Sequence, residues 1–227
     1  MAMPQRWIDV TRPIRDAMEV FPGDPPVSVR PVSSLTAGDP YAVSLLSLGT
    51  HAGTHVDAPG HYLERGGGVE SLDLEALVGP AVVAEVPAGT PAIDAAALDR
   101  LAVPPGCERL LLKTRAAGAR GTTPLAAPFI ALDESGARRA IDRGIRLLGV
   151  DTPSVGPLAD PGPVHRLLLA AGVVVLESLE LSGATPGEWT LVCLPLLVPG
   201  ADGAPARAIL GRPVVPGEPA PGHAPAR

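Results

Sequence analysis

Aromatic side chains are scarce in this chain: phenylalanine, tyrosine and tryptophan together make up 3% of it. That leaves no series of ring platforms on which the bases of a single strand could stack. Positive charge is also short. Lys and Arg number 18 against 24 Asp and Glu, a formal net charge of −6, so the electrostatic footprint of a nucleic-acid binder is missing. Only two cysteines occur, Cys107 and Cys193, without the paired spacing of a zinc knuckle. The sequence leaves a disulfide between them open, with cytosolic thiols as the default. Cys193, within Leu191-Val192-Cys193-Leu194, is assigned to the core, and Cys107, after Pro104-Pro105-Gly106, to an exposed turn. Residues 1–9 contain no apolar core of signal-peptide length. No segment approaches the ~20 apolar residues needed to cross a bilayer. A soluble, cytoplasmic protein with no membrane partner is expected. There is no Gly-x-Ser-x-Gly elbow, which argues against the usual serine-hydrolase route. Gly66-Gly67-Gly68 is not followed by Lys-Ser or Lys-Thr, which excludes a P-loop. We find no internal repeat.

What the chain does have is a strong apolar content, 46%, cut by 28 prolines and 26 glycines. This is the profile of a turn-rich globular enzyme, and 227 residues suffice for one sizeable core. Short strands are expected at 6–14, 41–49, 80–87, 109–114, 145–150, 173–176, 189–198 and 206–210. Helices are expected at 94–101, from an N-cap at Asp133 to Arg143, and from Gly162 until Gly172 stops it. Strands and helices mix without strict alternation, so the fold class is mixed α/β or α+β. Residues 1–212 are read as one domain and 213–227, rich in Pro, Gly and Ala, as a disordered tail. Residues 115–128 are read as a low-complexity loop with solvated Arg115 and Arg120, and the triple glycine as a mobile loop or plain connector.

The most informative stretch runs His51-Ala52-Gly53-Thr54-His55-Val56-Asp57-Ala58-Pro59-Gly60-His61. It holds three of the five histidines of the chain, with an aspartate among them. Gly53, Pro59 and Gly60 argue against a helix, so the i, i+4 spacings do not define one helical face. A Gly- and Pro-rich loop can instead turn several side chains toward one point. Imidazole nitrogen and carboxylate oxygen are the common ligands of zinc, manganese or iron. Further along, Glu177 closes four aliphatic residues and must be paired or leave the core. His165 sits in the first turn of its helix.

The pattern from His51 to His61 resembles the signature of the cyclase family of metal-dependent hydrolases, which includes bacterial kynurenine formamidase, isatin hydrolases and proteins named for polyketide cyclisation. Phe21-Pro22-Gly23-Asp24 resembles the family's aromatic-Pro-Gly-Asp segment. Gly149-Val150-Asp151-Thr152-Pro153-Ser154 resembles its Gly-Ile-Asp-Thr-Pro-Ser segment, and His165 with Glu177 its downstream His and Glu. The resemblance implies a swivelling β/β/α fold and two divalent metal ions, zinc or manganese. It implies His51 and His55 as ligands of the first ion, Asp57 and Glu177 as bridging carboxylates, His165 as the second ion's histidine, and His61 as the acid/base. Phe21 becomes an aromatic wall for a planar substrate, at a place where the formamidases commonly carry tryptophan. Asp24 is expected to cap its turn, and Asp151 to make hydrogen bonds rather than bind metal.

The implied reaction is hydrolysis of a small amide, an N-formyl aryl amine such as N-formylkynurenine, by metal-activated water with His61 moving the proton; this would be a step of tryptophan catabolism. Isatin-type ring opening, lactone hydrolysis, biosynthetic cyclisation and a catalytically silent metal- or ligand-binding role are the rival readings. Family members are typically symmetric oligomers, so a homodimer or higher homo-oligomer is expected.

Overall fold

A computed structural model describes residues 6–114 and 129–212. The expected 115–128 loop and 213–227 tail lie outside the described residues. The strands are β1 (Arg6–Asp9), β2 (Ser28–Ser33), β3 (Val43–Ser47), β4 (His55–Asp57), β5 (Val78–Glu85), β6 (Arg109–Lys113), β7 (Leu147–Val150), β8 (Val174–Glu177), β9 (Gly187–Pro195) and β10 (Gly203–Arg212). The helices are α1 (Leu74–Leu77), α2 (Ala95–Arg100), α3 (Glu134–Asp142) and α4 (Gly162–Ala170).

Eight strands form one sheet in the order β1-β10-β4-β8-β7-β6-β5-β9, and a further β9–β10 pairing closes it into a barrel. Half of the barrel is parallel: β5, β6, β7 and β8 are successive parallel neighbours, with α2, α3 and α4 in the three crossovers. The other half is antiparallel. There β10 pairs β4 through residues 203–205, β9 through 206–211 and β1 through 209–212. The fold class is therefore the expected mixture of helix and strand, with a strand barrel at its centre.

Side-chain alternation along the parallel strands builds two cores. Val82, Ala84, Leu110, Leu112, Leu148, Val150 and Val175 face the helices. Ala81, Val83, Leu111, Leu147, Val174 and Leu176 face the barrel interior with Trp189, Leu191 and Cys193. Each fully buried Leu or Val contributes roughly 1.5–3 kcal/mol. α2 and α3 start at side-chain caps, of which the one at Asp133 was expected from the sequence. Asp94 Oδ1 accepts from Ala97 N at 2.6 Å and Asp133 Oδ1 from Gly136 N at 2.9 Å, each worth about 1 kcal/mol.

Four local readings change. The His-rich stretch is not all loop: His55, Val56 and Asp57 are β4, at the centre of the sheet between β10 and β8. The last strand spans ten residues rather than five and carries Pro205 opposite His55. Gly66 and Gly67 serve close approach rather than a free loop. A Cβ on Gly66 would lie 2.3 Å from Pro59 C and 2.5 Å from Gly60 N, and Gly60 N donates to Gly67 O at 2.9 Å. Finally, β2 and β3 make a separate two-stranded ribbon in which every residue of β3 is exposed.

Candidate metal centre

The strand ends place the chemistry. β4 presents His55 and Asp57 on one side of the sheet, two residues apart, and pairs with β8 so that His55 lies opposite Glu177. α4 brings His165 in its first turn, and the turn before β4 brings His51. After Glu177 the backbone takes a left-handed conformation at Ser178, φ 60°, uncommon for a residue with a Cβ. It is fixed by Ser178 N donating to Thr152 O at 3.0 Å and Ser178 O accepting from Thr54 Oγ1 at 2.6 Å. That sharp turn lets Glu177 end the strand with its carboxylate inside.

All five expected ligands converge. His51 Nδ1 is 3.0 Å from Asp57 Oδ1, and His55 Nε2 is 3.4 Å from the same oxygen. His55 Nε2 is also 3.3 Å from Glu177 Oε2. His165 Nε2 is 3.0 Å from Glu177 Oε1 and 3.4 Å from Asp57 Oδ2. Orientation is set from behind. His55 Nδ1–H donates to Gly53 O at 2.9 Å and His165 Nδ1–H to Pro161 O at 2.8 Å, which leaves both Nε2 atoms facing the carboxylates. Val155 N donates to Glu177 Oε1 at 2.7 Å. This is the arrangement in which metal-binding histidines are usually held, one nitrogen to a carbonyl and the other inward.

Two buried atoms here, His55 Nε2 and Asp57 Oδ2, have no hydrogen-bond partner. Buried polar groups are normally paired, so the two mark a place where something else binds. The donor set fits a divalent ion: His55, Asp57 and Glu177 offer ligand atoms within 4.8 Å of one another, and so do His51, Asp57 and His61. Asp57 is common to both groups. His61, expected to stay off the metals, thus lies close enough to share one.

Opposite charges balance within the cluster. Burial works against a charged His55, but contacts with Asp57 and Glu177 outweigh it and push the imidazole up to about 10. His165 is likewise penalised by burial, and Asp57 and Glu177 push it up to about 10. Burial raises the carboxyl of Asp57, but His165, His51 and His55 hold it well below the carboxylate range. Glu177 is lowered in the same way, its two histidines outweighing burial and the neighbouring charge of Asp57. His61 behaves oppositely: burial lowers its pKa, and the attraction of Asp57 does not make up the difference.

A cleft of about 150 Å³ opens over the cluster, lined by His51, His55, His61, His165 and Glu177 and by Phe21, Tyr62 and Arg12 among others. Phe21 lines the cleft wall. Asp24 lines it too and closes the Phe21 turn, its N–H donating to Phe21 O at 3.0 Å. Asp151 lies outside the cluster and accepts from Thr114 N and Oγ1, the hydrogen-bonding role expected of it. The sequence reading missed Asp202. Its Oδ2 is 3.2 Å from His51 Nε2 and 3.6 Å from His61 Nδ1, and its Oδ1 accepts from Thr50 Oγ1 at 2.9 Å. A single aspartate in a Gly-Ala-Asp-Gly turn carries no sequence signal of that role.

The Cyclase family model matches residues 8–157. The chain belongs to the cyclase family. Among curated relatives of this cyclase-family chain, kynurenine formamidase of Bacillus thuringiensis (strain Al Hakam) is 36% identical over 209 residues, covering 92% of this chain and 98% of that protein. Kynurenine formamidase of Bacillus mycoides (strain KBAB4) is 36% identical over 210 residues with the same coverages. Among solved structures, a protein described as a predicted metal-dependent hydrolase from Bacillus stearothermophilus superposes with TM-score 0.74 at 29% identity, covering 92% of this chain and 98% of the other. Isatin hydrolase A from Labrenzia aggregata gives TM-score 0.74 at 22% identity over 91% and 93% of the two chains, a likeness of fold. Among the described residues, no helix is long and apolar enough to cross a membrane.

Proposed function

We propose that this chain hydrolyses an N-formyl aryl amine of the N-formylkynurenine type, using a divalent metal centre held by His51, His55, Asp57, His165 and Glu177. At the coarser level the chain is a hydrolase of non-peptide carbon–nitrogen bonds. One observation supports this reading: buried His55 Nε2 and Asp57 Oδ2 both lack a hydrogen bond, and His55 lines a cleft whose wall includes His61. The two donor groups that share Asp57 support two ions, zinc or manganese by the chemistry of their ligands.

Divalent ions in such a site supply Lewis acidity toward a carbonyl oxygen and make water more acidic. The residues of the chain do the rest. His55 and His165 keep their Nε2 atoms inward because backbone carbonyls hold the opposite nitrogens. His61 has a lowered pKa and is neutral near pH 7, so it can accept a proton from water. As the water oxygen bonds to the formyl carbon and the carbon–nitrogen bond breaks, His61 returns that proton to the leaving nitrogen, giving the aryl amine and formic acid. His61 is held for this by stacking on His51, ring centroids 4.0 Å apart, and by Asp202 near its Nδ1. Phe21 offers its face to the aryl ring. Tyr62 stacks on His165 at 4.6 Å, and burial together with the charges of Glu177 and Asp57 raises its phenol, which keeps it neutral.

We also read the protein as a homodimer. A free two-stranded ribbon is marginal in water, yet Val43, Leu45 and Leu46 of β3 stand 46%, 45% and 54% exposed, a surface a second copy would cover. The free thiols of Cys107 and Cys193 fit a reducing, cytoplasmic compartment.

Purified protein loaded with zinc or manganese is to be given N-formylkynurenine and, separately, isatin. Release of kynurenine supports the reading. Turnover of isatin alone replaces it with ring opening, and metal uptake with no turnover of any amide or lactone replaces it with a binding protein.

A further inference from the structure

We propose that Arg12 is a carboxylate anchor, so that the cleft selects acyl aryl amines bearing an anionic group over neutral ones. The proposal rests on the hydrolase reading and names the part of the substrate that lies away from the reacting amide.

Arg12 is built into the metal-binding stretch although it lies far from it in sequence. Its N–H donates to Thr54 Oγ1 at 2.7 Å, and that hydroxyl donates to Ser178 O at 2.6 Å. Its carbonyl oxygen lies 3.1 Å from where a Cβ on Gly53 would stand, and Gly53 has φ +69°. Both the space and the conformation therefore suit glycine there. Thr11, its neighbour, bridges to Leu179 beyond β8. Arg12 and its neighbour are thus fixed to the two segments that flank the ligands, the turn leading into β4 and the residues just after β8.

Its side chain lines the same cleft as His55, His61, Glu177 and Phe21, and it is the one Lys or Arg among the described residues doing so. Among the described residues no hydrogen bond or ion pair reaches its guanidinium. The residue is half-buried, and burial lowers its pKa while the carboxylates of Glu19 and Glu180 act to raise it. Those carboxylates act on it from beyond ion-pair distance. An arginine stays charged in any such setting, and its planar fork of donors matches a carboxylate in two hydrogen bonds. A fixed, half-desolvated and unengaged guanidinium in a substrate cleft is a site for an anion. Elsewhere the cleft wall carries Glu19, Asp24 and Glu177, which repel one. An aryl substituent ending in carboxylate has one favourable place to go. With Glu19 in the same wall, an α-amino acid head could set its ammonium beside that carboxylate.

The test is direct binding to metal-loaded wild type, Arg12→Gln and Arg12→Lys, measured calorimetrically. The ligands are L-kynurenine and 2-aminoacetophenone, which share the aryl ketone and differ in the amino acid head. Wild type should prefer kynurenine. In Arg12→Gln that preference should fall on the order of 10–100-fold, as for loss of one partner of a partly desolvated charge pair, and Arg12→Lys should keep part of it. An unchanged preference in Arg12→Gln, or equal weakening of both ligands, overturns the proposal. If Arg12→Gln does not fold, Arg12→Lys decides: the preference must fall there relative to wild type, because lysine cannot form the bidentate pair. Hydrolysis of N-formylkynurenine is measured separately on wild type. Its absence together with an Arg12-dependent preference sinks the proposed reaction and leaves the anchor standing. Its presence with no such preference sinks the anchor alone.

Discussion

Metal uptake should release protons. In the ion-free protein His55 and His165 titrate at about 10, so at pH 7.5 both are imidazolium, neutralised by Asp57 and Glu177. Ligating imidazoles must be neutral. Filling both ion positions therefore expels a proton from each of these histidines. Metal affinity should then rise steadily with pH across neutrality and on toward pH 10. A site of unperturbed histidines, pKa ~6.5, would level off near pH 7 instead. The same shifts fix the stability of the ion-free form. The folded pKa values lie above the unfolded ~6.5, so this stabilisation is complete below pH 6.5 and is lost as pH rises toward 10. Titration calorimetry with zinc or manganese at pH 7.5, in buffers of different ionisation enthalpy, reads the proton count. A count near zero, or an affinity independent of pH between 7 and 9, would refute the charge-balanced cluster described here.

Asp57→Ala should lose metal and activity together, whereas His61→Ala should keep the metal and lose about 10²–10⁴-fold in turnover. Elemental analysis beside kinetics separates them, and loss of metal from His61→Ala would make His61 a ligand. Gly66→Ala should impair the site from outside the cluster, because its Cβ would meet Pro59 C at 2.3 Å; wild-type melting temperature and activity would rule out that contact as a support. Leu168→Ala, deep between α4 and the sheet and fully buried, should cost about 2–5 kcal/mol by denaturant unfolding with metal stoichiometry intact. Light scattering at micromolar concentration should return a dimer, and a monomeric mass would leave the β2–β3 ribbon without its cover.

The parallel half of the fold was legible in the sequence because its signals are local. Val173 to Glu177 is a run of aliphatics closed by an acid, and Asp133 announces the helix it caps. The antiparallel half was legible only in part: β1, β9 and most of β10 were expected as strands, but β4 and the pairings were not. β4 has three residues, too few for any alternation, and its neighbours Gly53 and Pro59 read as loop. Pro80 and Pro205 sit inside strands, where the sequence argues against them. Barrel closure depends on β9 meeting β10, a long-range pairing that periodicity does not encode. The site divides in the same way. Motif residues His51, His55, Asp57 and His61, with His165 and Glu177, were visible as chemistry. Asp202 stands 151 residues from His51 and Arg12 is 42 residues from Thr54, and neither contact has a signature in the chain.

The last strand has a consequence for biosynthesis. β10 is the neighbour of β1, β4 and β9 at once, and it also follows directly on Asp202. While the polypeptide is still being made, the strand bearing His55 and Asp57 has β8 on one side and an open edge on the other. The half-barrel of β5 to β8 can form earlier, since its parallel strands and helices are consecutive in the chain. The metal pocket is thus among the last things a ribosome delivers, and loading must wait until residues 203–212 have emerged and closed the ring. A chain cut before Gly203 should emerge with its α/β half collapsed and the histidines exposed.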